Sequence, residues 1–183
     1  MEPSPRDSRE LPEPAPPGKP TSAARTTLSR IMTVLDTNLL GTVHGGVIMK
    51  LADEVAGTAA ARHSGGNAVT ASMDEMAFLV PVRVGDLVYA CAQVNWTGKS
   101  SMEVGVRVVA ERWNEAGVPP TVVATAYLAF VAIDEQGRPR RVPPVLPETD
   151  EDRRRYAEAE IRRAHRLASR DAIRTSREAG ATP

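Results

Sequence analysis

Four long β-rich runs that follow a single long helix constrain the fold of this chain more than any other feature. The runs span Val69–Val80, Leu87–Thr97, Met102–Trp113 and Thr121–Ile133, and glycine, proline or charged turns separate them. Runs of about ten residues exceed the usual strand length of about five or six, which indicates a curved sheet able to wrap an object one helix wide. The helix itself is that object, so the pattern predicts an α+β fold with a central helix wrapped by a curved antiparallel sheet.

The predicted helix runs from about His44 to His63 and carries two different faces. At about 100° per residue the larger side chains share one face, which we expect to pack on the sheet. These are Val47, Ile48, Leu51 and Val55. The other face is small and apolar around one carboxylate, and it holds Met49, Asp53, Ala56, Gly57 and Ala60. Such a face admits a close neighbour, either a substrate or the helix of another subunit.

The start of this helix presents backbone amides to a developing negative charge. His44, Gly45 and Gly46 leave N–H groups exposed at the positive end of the helix dipole, which predicts an oxyanion-binding position. The glycine pair also permits close backbone packing, and the two roles are compatible. Asp53, two turns later, is the acid that hydrolytic chemistry needs near an electrophilic carbonyl. For His44 itself we expect helix capping or lining of the site.

The two ends of the chain differ from this central region. Residues 1–24 hold seven prolines among charged and small residues, which predicts a disordered arm before a domain over 25–147. Thr149 is expected to cap a surface helix over 148–170. That helix carries a thin apolar stripe of Ala157, Ile161, Ala164 and Ala168. Residues 171–183 show neither a core nor a stop signal, which predicts a flexible tail.

Composition excludes several classes of function. The 183 residues contain 23 basic and 23 acidic side chains, so net charge gives no pull toward nucleic acid or an acidic membrane surface. A single cysteine, Cys91, cannot form an internal disulfide, and no signal peptide or long apolar run opens the chain. We therefore expect a cytoplasmic protein with one folded domain.

The motifs along the chain resemble those of a known enzyme family. The matching pieces are SRIM at 29–32, DTNxxG at 36–41, HGGVIMKLADEVAG at 44–57, VTAS at 69–72, GKSSMEV at 98–104 and VPPVLPET at 142–149. With a helix wrapped by a long antiparallel sheet, they resemble the hotdog-fold acyl-CoA thioesterases, in the acyl-CoA hydrolase branch that includes brain-type and bacterial short-chain enzymes. The resemblance covers roughly Ser29 to Tyr156.

The resemblance implies hydrolysis of a thioester between an acyl group and coenzyme A, without a metal or redox cofactor. In such enzymes the acid at the position of Asp53 acts as general base or nucleophile, and the asparagine at the position of Asn38 comes from the facing subunit. Because this chain has length for one such domain only, the resemblance implies a homodimer as the minimum unit and a trimer of dimers as the assembly.

Several readings stay open at this point. The Asp36-Thr37-Asn38 segment is also ordinary turn chemistry. The hairpin Lys99-Ser100-Ser101, like His44, is a candidate contact for coenzyme A, and it is equally a plain polar turn. A non-catalytic acyl-CoA-binding module is the alternative function. A dehydratase would need a histidine with an acid on the central helix, whereas His44 precedes that helix.

Overall fold

The computed structural model describes residues 16–112, 114–115 and 117–180. The helices are α1 (Gly45–Ser64) and α2 (Asp150–Gly180). The strands are β1 (Lys19–Pro20), β2 (Thr26–Ile31), β3 (Ala68–Phe78), β4 (Leu87–Thr97), β5 (Ser101–Glu111), β6 (Thr121–Ala132) and β7 (Val145–Leu146). Over these described residues, neither helix combines the length and apolarity that crossing a membrane requires.

A five-stranded antiparallel sheet curls around α1 in the strand order β2-β4-β5-β6-β3. All four predicted β-rich runs are strands. Bulges interrupt the β3–β6 ladder between Thr70 and Ser72 and between Met73 and Glu75, and such bulges bend a strand. Inward side chains of the sheet and of α1 form one core, which confirms the wrapped-helix α+β fold.

α1 spans Gly45–Ser64, close to the predicted range from about His44 to His63. His44 is the N-cap, and Gly65 closes the helix with a left-handed φ of 72°. One expectation about its faces is wrong. Ala56 and Ala60, assigned to the open face, are fully buried, because the curled sheet covers more of the helix than one face. Asp53 lies at the border between the buried arc and the exposed arc of the helix, and it is half-buried.

The amino-terminal arm is ordered from residue 16 onward, which corrects the prediction of disorder through residue 24; residues 1–15 lie outside the described part of the chain. Lys19–Pro20 pairs in parallel with Val145–Leu146. Thr21 is 2% exposed and its hydroxyl donates to the Leu146 carbonyl at 3.1 Å. Two extended segments far apart in sequence stabilise each other here, a pairing that the local composition did not reveal.

A tight turn follows the short strand β2. β2 stops at Ile31, and a 3₁₀ turn over Val34–Asp36 follows. The carboxylate of Asp36 accepts hydrogen bonds from the Thr33 backbone N–H at 2.8 Å and from the Thr33 hydroxyl at 2.9 Å. This capping box turns the chain before the strand can continue.

α2 is longer than predicted. The helix starts as expected, because the Thr149 hydroxyl accepts the Asp152 N–H at 3.1 Å. It then continues to Gly180, beyond the expected end at 170 and through most of the residues assigned to a flexible tail. Good helix formers and an i,i+3 ion pair between Asp171 and Arg174 support this continuation.

α2 packs on the outer face of the sheet through charged side chains. Arg162 donates to Glu103 of β5 at 2.6 Å, and its guanidinium lies 3.6 Å from the ring centroid of Tyr127 on β6. Asp152 accepts from Gln93 of β4 at 2.7 Å. Because a buried carboxylate is costly without a partner, these contacts determine which side of α2 faces the sheet. The apolar stripe therefore lies on the solvent side, where all four residues are exposed: Ala157, Ile161, Ala164 and Ala168.

Candidate functional site

Asp53 projects from the middle of α1 as a half-buried carboxylate beside fully buried alanines. The Thr70 hydroxyl of β3 donates a hydrogen bond of 2.7 Å to its Oδ1. Within the described residues Asp53 forms no ion pair, and its Oδ2 accepts no hydrogen bond. The carboxylate is therefore oriented by one neutral donor, while its second oxygen has no hydrogen-bond partner among the described residues.

Only one of the two glycine amides predicted to bind an oxyanion is free among the described residues. The Gly46 N–H donates to His44 Nδ1 at 2.9 Å, so the side chain that caps the helix occupies this amide. The Gly45 N–H has no hydrogen-bond partner among the described residues. The capping role predicted for His44 is confirmed, and in this state the predicted oxyanion position depends on Gly45 rather than on both glycines.

Within one chain the predicted oxyanion donor, the Gly45 N–H, lies far from the predicted catalytic acid, Asp53. Gly45 and Asp53 are eight residues apart in a continuous helix, which is about 12 Å along the axis. A general base and an oxyanion donor must each approach the same carbonyl group within about 3 Å. The predicted chemistry therefore requires that Asp53 act with a helix start other than its own.

Asn38 lies in the loop that leads from β2 to α1, and its side chain serves the loop. Its Oδ1 accepts from the Leu40 N–H at 2.8 Å, and its Nδ2 donates to the Thr42 hydroxyl at 3.0 Å. The turn chemistry that the sequence left open is therefore present. Asp36 anchors the same loop: the hydrogen bond from the Thr33 N–H, aided by the nearby Arg30 guanidinium, lowers the pKa of its carboxyl group.

Large apolar side chains on this loop point away from the rest of the chain. Val34 is 71% exposed, Leu35 93%, Leu39 105% and Leu40 87%. A cluster of exposed aliphatic side chains on an ordered loop is typical of a protein–protein contact rather than of a solvated surface. The loop that carries Asn38 thus presents an apolar surface of the kind that contacts another protein.

The hairpin Lys99-Ser100-Ser101 connects β4 to β5, and Ser101 lies in the row of residues that passes through Val131 of β6 to Val69 of β3. The Ser100 carbonyl accepts from Ala132 N–H at 2.9 Å, which anchors the turn to β6. Ser101 lines a groove beneath α2 on the outer face of the sheet. Among the described residues the hairpin makes no hydrogen bond to Asp53, whose carboxylate accepts from Thr70, and its contact with coenzyme A stays a prediction.

An apolar cleft of about 280 Å³ opens beside the helix start. Its floor is made of nearly buried side chains: Val43, Ile48, Val82 and Val123. Phe78 forms one wall and is 54% exposed. A Cβ at Gly45 would lie 3.2 Å from Phe78 Cζ, a close contact that would push the ring outward. The cleft suits an apolar group attached to a carbonyl that sits at Gly45.

Thr70 is the site residue that the sequence reasoning missed. It belongs to VTAS at 69–72, one of the pieces that resemble the family, and the resemblance alone assigned it no role. Nothing local distinguishes this threonine, since hydroxyls alternate along many strands. Its contact with Asp53 joins residues 17 positions apart and exists only because β3 packs against α1.

Comparison with known proteins places the chain in a family. The family described as the thioesterase superfamily matches residues 40–115. An acyl-CoA thioester hydrolase of Bacillus subtilis, YkhA, is 44% identical over 118 residues, which cover 64% of this chain and 67% of that protein. The mouse cytosolic acyl coenzyme A thioester hydrolase is 36% identical over 149 residues; the match covers 81% of this chain but only 39% of the mouse protein.

Solved structures of acyl-CoA hydrolases share the fold of this chain. An acyl-CoA hydrolase of Staphylococcus aureus, solved with butyryl coenzyme A and coenzyme A, superposes with a TM-score of 0.81 at 36% identity, covering 91% of this chain and all of that one. A hexameric acyl-CoA thioesterase superposes with a TM-score of 0.80 at 36% identity over 84% of this chain and 97% of its own length.

Three solved variants of the Staphylococcus aureus enzyme replace an asparagine, an aspartate and a threonine with alanine. Those three positions are separated by fifteen and then seventeen residues, the spacing of Asn38, Asp53 and Thr70 in this chain. From the relatives and the shared architecture together, the chain belongs to the acyl-CoA thioester hydrolases of the thioesterase superfamily, with the hotdog fold.

Proposed function

We propose that this chain hydrolyses acyl-CoA thioesters to a carboxylic acid and coenzyme A, with Asp53 as general base or nucleophile. The environment of Asp53 carries the proposal: a half-buried carboxylate, without an ion pair among the described residues, oriented by Thr70. Such a group can take a proton from an attacking water or attack the thioester carbonyl itself. The substrates named for the relatives support the substrate class.

A second copy of the chain completes the site in this proposal. The separation of about 12 Å between Gly45 and Asp53 requires that the helix start come from elsewhere. A facing subunit would supply its own Gly45 together with Asn38, whose amide orients the water or the carbonyl. The exposed apolar loop around Asn38 supports this homodimer, and the hexameric relative supports a trimer of dimers.

The substrate extends in two directions from the reacting carbonyl. The acyl chain occupies the apolar cleft beside Gly45, and the nucleotide end of coenzyme A contacts Lys99, Ser100 and Ser101, with His44 near the thioester. Hydrolysis of a thioester by a carboxylate and water needs no electron transfer and no Lewis acid. No metal or redox cofactor is therefore part of the proposal.

Thiol release from a panel of acyl-CoA substrates tests this function. We expect Asp53→Ala to lower turnover about 100- to 10,000-fold, because the group that handles the proton or attacks the carbonyl is lost. Asn38→Ala should lower turnover about 100- to 1,000-fold, the typical effect of one lost positioning donor. Binding of acyl-CoA is measured in parallel and should persist in both variants.

Glu54→Ala is the matched control. Glu54 neighbours Asp53 on α1, but it is exposed, and within the described part of the chain its one ion pair is with Lys50 at 3.8 Å, so turnover should not change. Turnover by Asp53→Ala equal to that of the wild type would reject the mechanism. A wild-type protein that binds acyl-CoA without releasing thiol would instead be a non-catalytic binding module.

A further inference from the structure

The loop between β2 and α1 is a small hairpin, and Asn38 lies in its turn. Thr37 and Val43 form an isolated antiparallel bridge, and the Asn38 N–H donates to the Thr42 carbonyl at 2.8 Å. The Gly41 N–H closes the turn by donating to the Asn38 carbonyl at 3.1 Å. Gly41 itself has a left-handed φ of 75°, which glycine adopts without strain. Both backbone groups of Asn38 are therefore bound within this hairpin.

The side-chain oxygen of Asn38 is fully occupied. Oδ1 accepts from the backbone N–H groups of Leu40 at 2.8 Å and of Thr42 at 3.3 Å. These two donors decide the orientation of the amide, because a nitrogen in the place of Oδ1 would face two N–H groups and could accept from neither. A carboxamide oxygen has two lone pairs, so Oδ1 has no capacity left for a substrate or a water molecule.

The side-chain nitrogen of Asn38 keeps one free hydrogen. Nδ2 carries two N–H donors, and one of them donates to the Thr42 hydroxyl at 3.0 Å. The other has no hydrogen-bond partner among the described residues. The Thr42 hydroxyl also lies 3.3 Å from Oδ1, so it contacts both polar atoms of the amide. The arrangement presents one N–H group, and no acceptor, to a molecule that approaches Asn38.

The hairpin also carries the second free donor of the site. It leads into the start of α1, where the Gly45 N–H has no partner among the described residues. The His44 N–H donates to the Asp36 carbonyl at 2.7 Å, which joins the helix start to the base of the hairpin. Asn38 and Gly45 therefore belong to one ordered segment of one subunit, whereas in the proposed assembly Asp53 comes from the other subunit.

We propose that Asn38 acts only as a hydrogen-bond donor, to the oxygen of the thioester carbonyl, and that Thr42 is the positioning residue that holds its amide in this orientation. When water or the Asp53 carboxylate attacks the carbonyl carbon, the electron pair of the C=O bond moves onto the oxygen. The pair returns when the carbon–sulfur bond breaks and the thiolate leaves, and a proton that Asp53 took from water passes to the thiolate. A preorganised N–H stabilises the negative charge on the oxygen in between.

The alternative role, orientation of the attacking water, needs a different amide. A group that takes a hydrogen bond from water must accept it, and the Asn38 oxygen is already saturated. An N–H that donated to the water would instead draw electron density away from the nucleophile. The inference rests on the proposed hydrolysis, and it assigns Asn38 to the carbonyl and leaves the water to Asp53.

Asn38→Asp distinguishes a donor from an acceptor at this position. Aspartate keeps an oxygen for the Leu40 and Thr42 N–H groups but replaces the free N–H by a second carboxylate oxygen. We expect it to lower turnover at least as much as Asn38→Ala, about 100- to 1,000-fold, because a carboxylate repels the developing oxyanion. An Asn38→Asp enzyme with most of the wild-type turnover would overturn the proposal, since an acceptor would then suffice.

Thr42→Val tests the positioning role, because it removes the hydroxyl at Nδ2 and keeps the branched shape. We expect kcat to fall about 5- to 50-fold with KM nearly unchanged, and Thr42→Ser to retain most of the activity. In the Asn38→Ala background Thr42→Val should have no further effect, because the group through which it acts is already absent.

Thr37→Val is the matched control. The Thr37 hydroxyl donates to the Val34 carbonyl at 2.7 Å in the same loop, and it forms no hydrogen bond to the Asn38 amide, so kcat should not change. A loss in Thr37→Val equal to that in Thr42→Val would mean that general disorder of the loop explains both results, and the positioning role would be rejected. A further loss from Thr42→Val in the Asn38→Ala background would reject it too.

Binding of two unreactive analogues tests the contact without relying on turnover. An acyl-CoA analogue with a methylene in place of the sulfur keeps the carbonyl oxygen as a ketone, whereas an S-alkyl coenzyme A lacks that oxygen. Asn38→Ala and Thr42→Val should weaken binding of the ketone about 5- to 20-fold in calorimetric titrations and leave binding of the thioether unchanged. The same effect on both analogues, or no effect on either, would overturn the proposal. A wild type that binds the ketone through Asn38 but releases no thiol would support the contact and reject the proposed hydrolysis alone.

Discussion

At the scale of single residues, the contact between Thr70 and Asp53 organises the candidate site. A hydroxyl at 2.7 Å restrains the carboxylate without neutralising it, since the donor carries no charge. The second oxygen of Asp53 has no hydrogen-bond partner among the described residues. In the proposed reaction Thr70 is a positioning residue, because it acts through Asp53.

Replacing Thr70 by valine tests this role. Valine keeps the branched shape but removes the hydroxyl, and a hydrogen bond to a charged group contributes about 1.5–3 kcal/mol. We expect kcat to fall about 10- to 100-fold with KM nearly unchanged, whereas Thr70→Ser should retain most of the activity. A Thr70→Val enzyme as fast as the wild type would contradict the role, and thermal unfolding of all three proteins controls for folding.

At the scale of elements, the first turn of α1 and the end of β3 jointly shape the apolar cleft. The Phe78 ring lies against the bare backbone of Gly45, so a side chain at either position changes the width of the cleft. In the proposed function this contact determines how much acyl chain fits beyond the carbonyl.

Phe78→Ala should shift the substrate preference toward longer acyl chains. Removal of the ring lengthens an apolar pocket, and one accommodated methylene changes kcat/KM about 10-fold or more. The measurement is kcat/KM across straight-chain acyl-CoAs, with Leu146→Ala as a control at an apolar residue of β7, which is 50% exposed and not among the residues lining the cleft. Gly45→Ala should change the chain-length profile too, because its Cβ would lie against the Phe78 ring. If the chain-length profile of kcat/KM is the same as that of the wild type in both variants, the acyl group does not bind in this cleft.

At the scale of the whole molecule, His63 connects three segments that are distant in sequence. Its ring is fully buried near the end of α1, and its Nε2 lies 2.9 Å from the Pro143 carbonyl, while Nδ1 has no partner among the described residues. Lys19 donates to the His63 carbonyl at 2.8 Å. Burial, together with the nearby Lys19 charge, lowers the pKa of His63 below its ordinary value of 6.5.

This lowered pKa predicts that stability is lost in mild acid. Between the folded-state pKa and about 6.5 the unfolded chain binds a proton that the folded chain excludes, so the free energy of unfolding falls as pH decreases through that window. The slope for one proton is at most about 1.4 kcal/mol per pH unit. Urea unfolding midpoints measured from pH 7.5 to 5 should decrease with pH, and His63→Gln should make this pH dependence smaller. His165→Gln, on the exposed side of α2, should retain the slope; a wild-type midpoint independent of pH would contradict the prediction.

Much of the fold was predictable, because local patterns determine local structure. The four β-rich runs and α1 follow from periodicity, a capping histidine and a closing glycine, all of which act over a few residues. The half-buried position of Asp53 was also predictable, since its neighbours on the helix are small and apolar. The ordered arm at Lys19–Pro20 was not, because its strand partner lies more than a hundred residues later.

The sequence by itself determined that α1 and the four long strands form, because side-chain periodicity depends on neighbouring positions. Only the tertiary structure decided which polar groups meet. Thr70 reaches Asp53, Arg162 reaches Glu103 across 59 positions, and His44 occupies the Gly46 amide. The physical reason is that a buried or half-buried polar group must find a partner in space. That partner depends on how whole elements pack, which no short stretch of residues encodes.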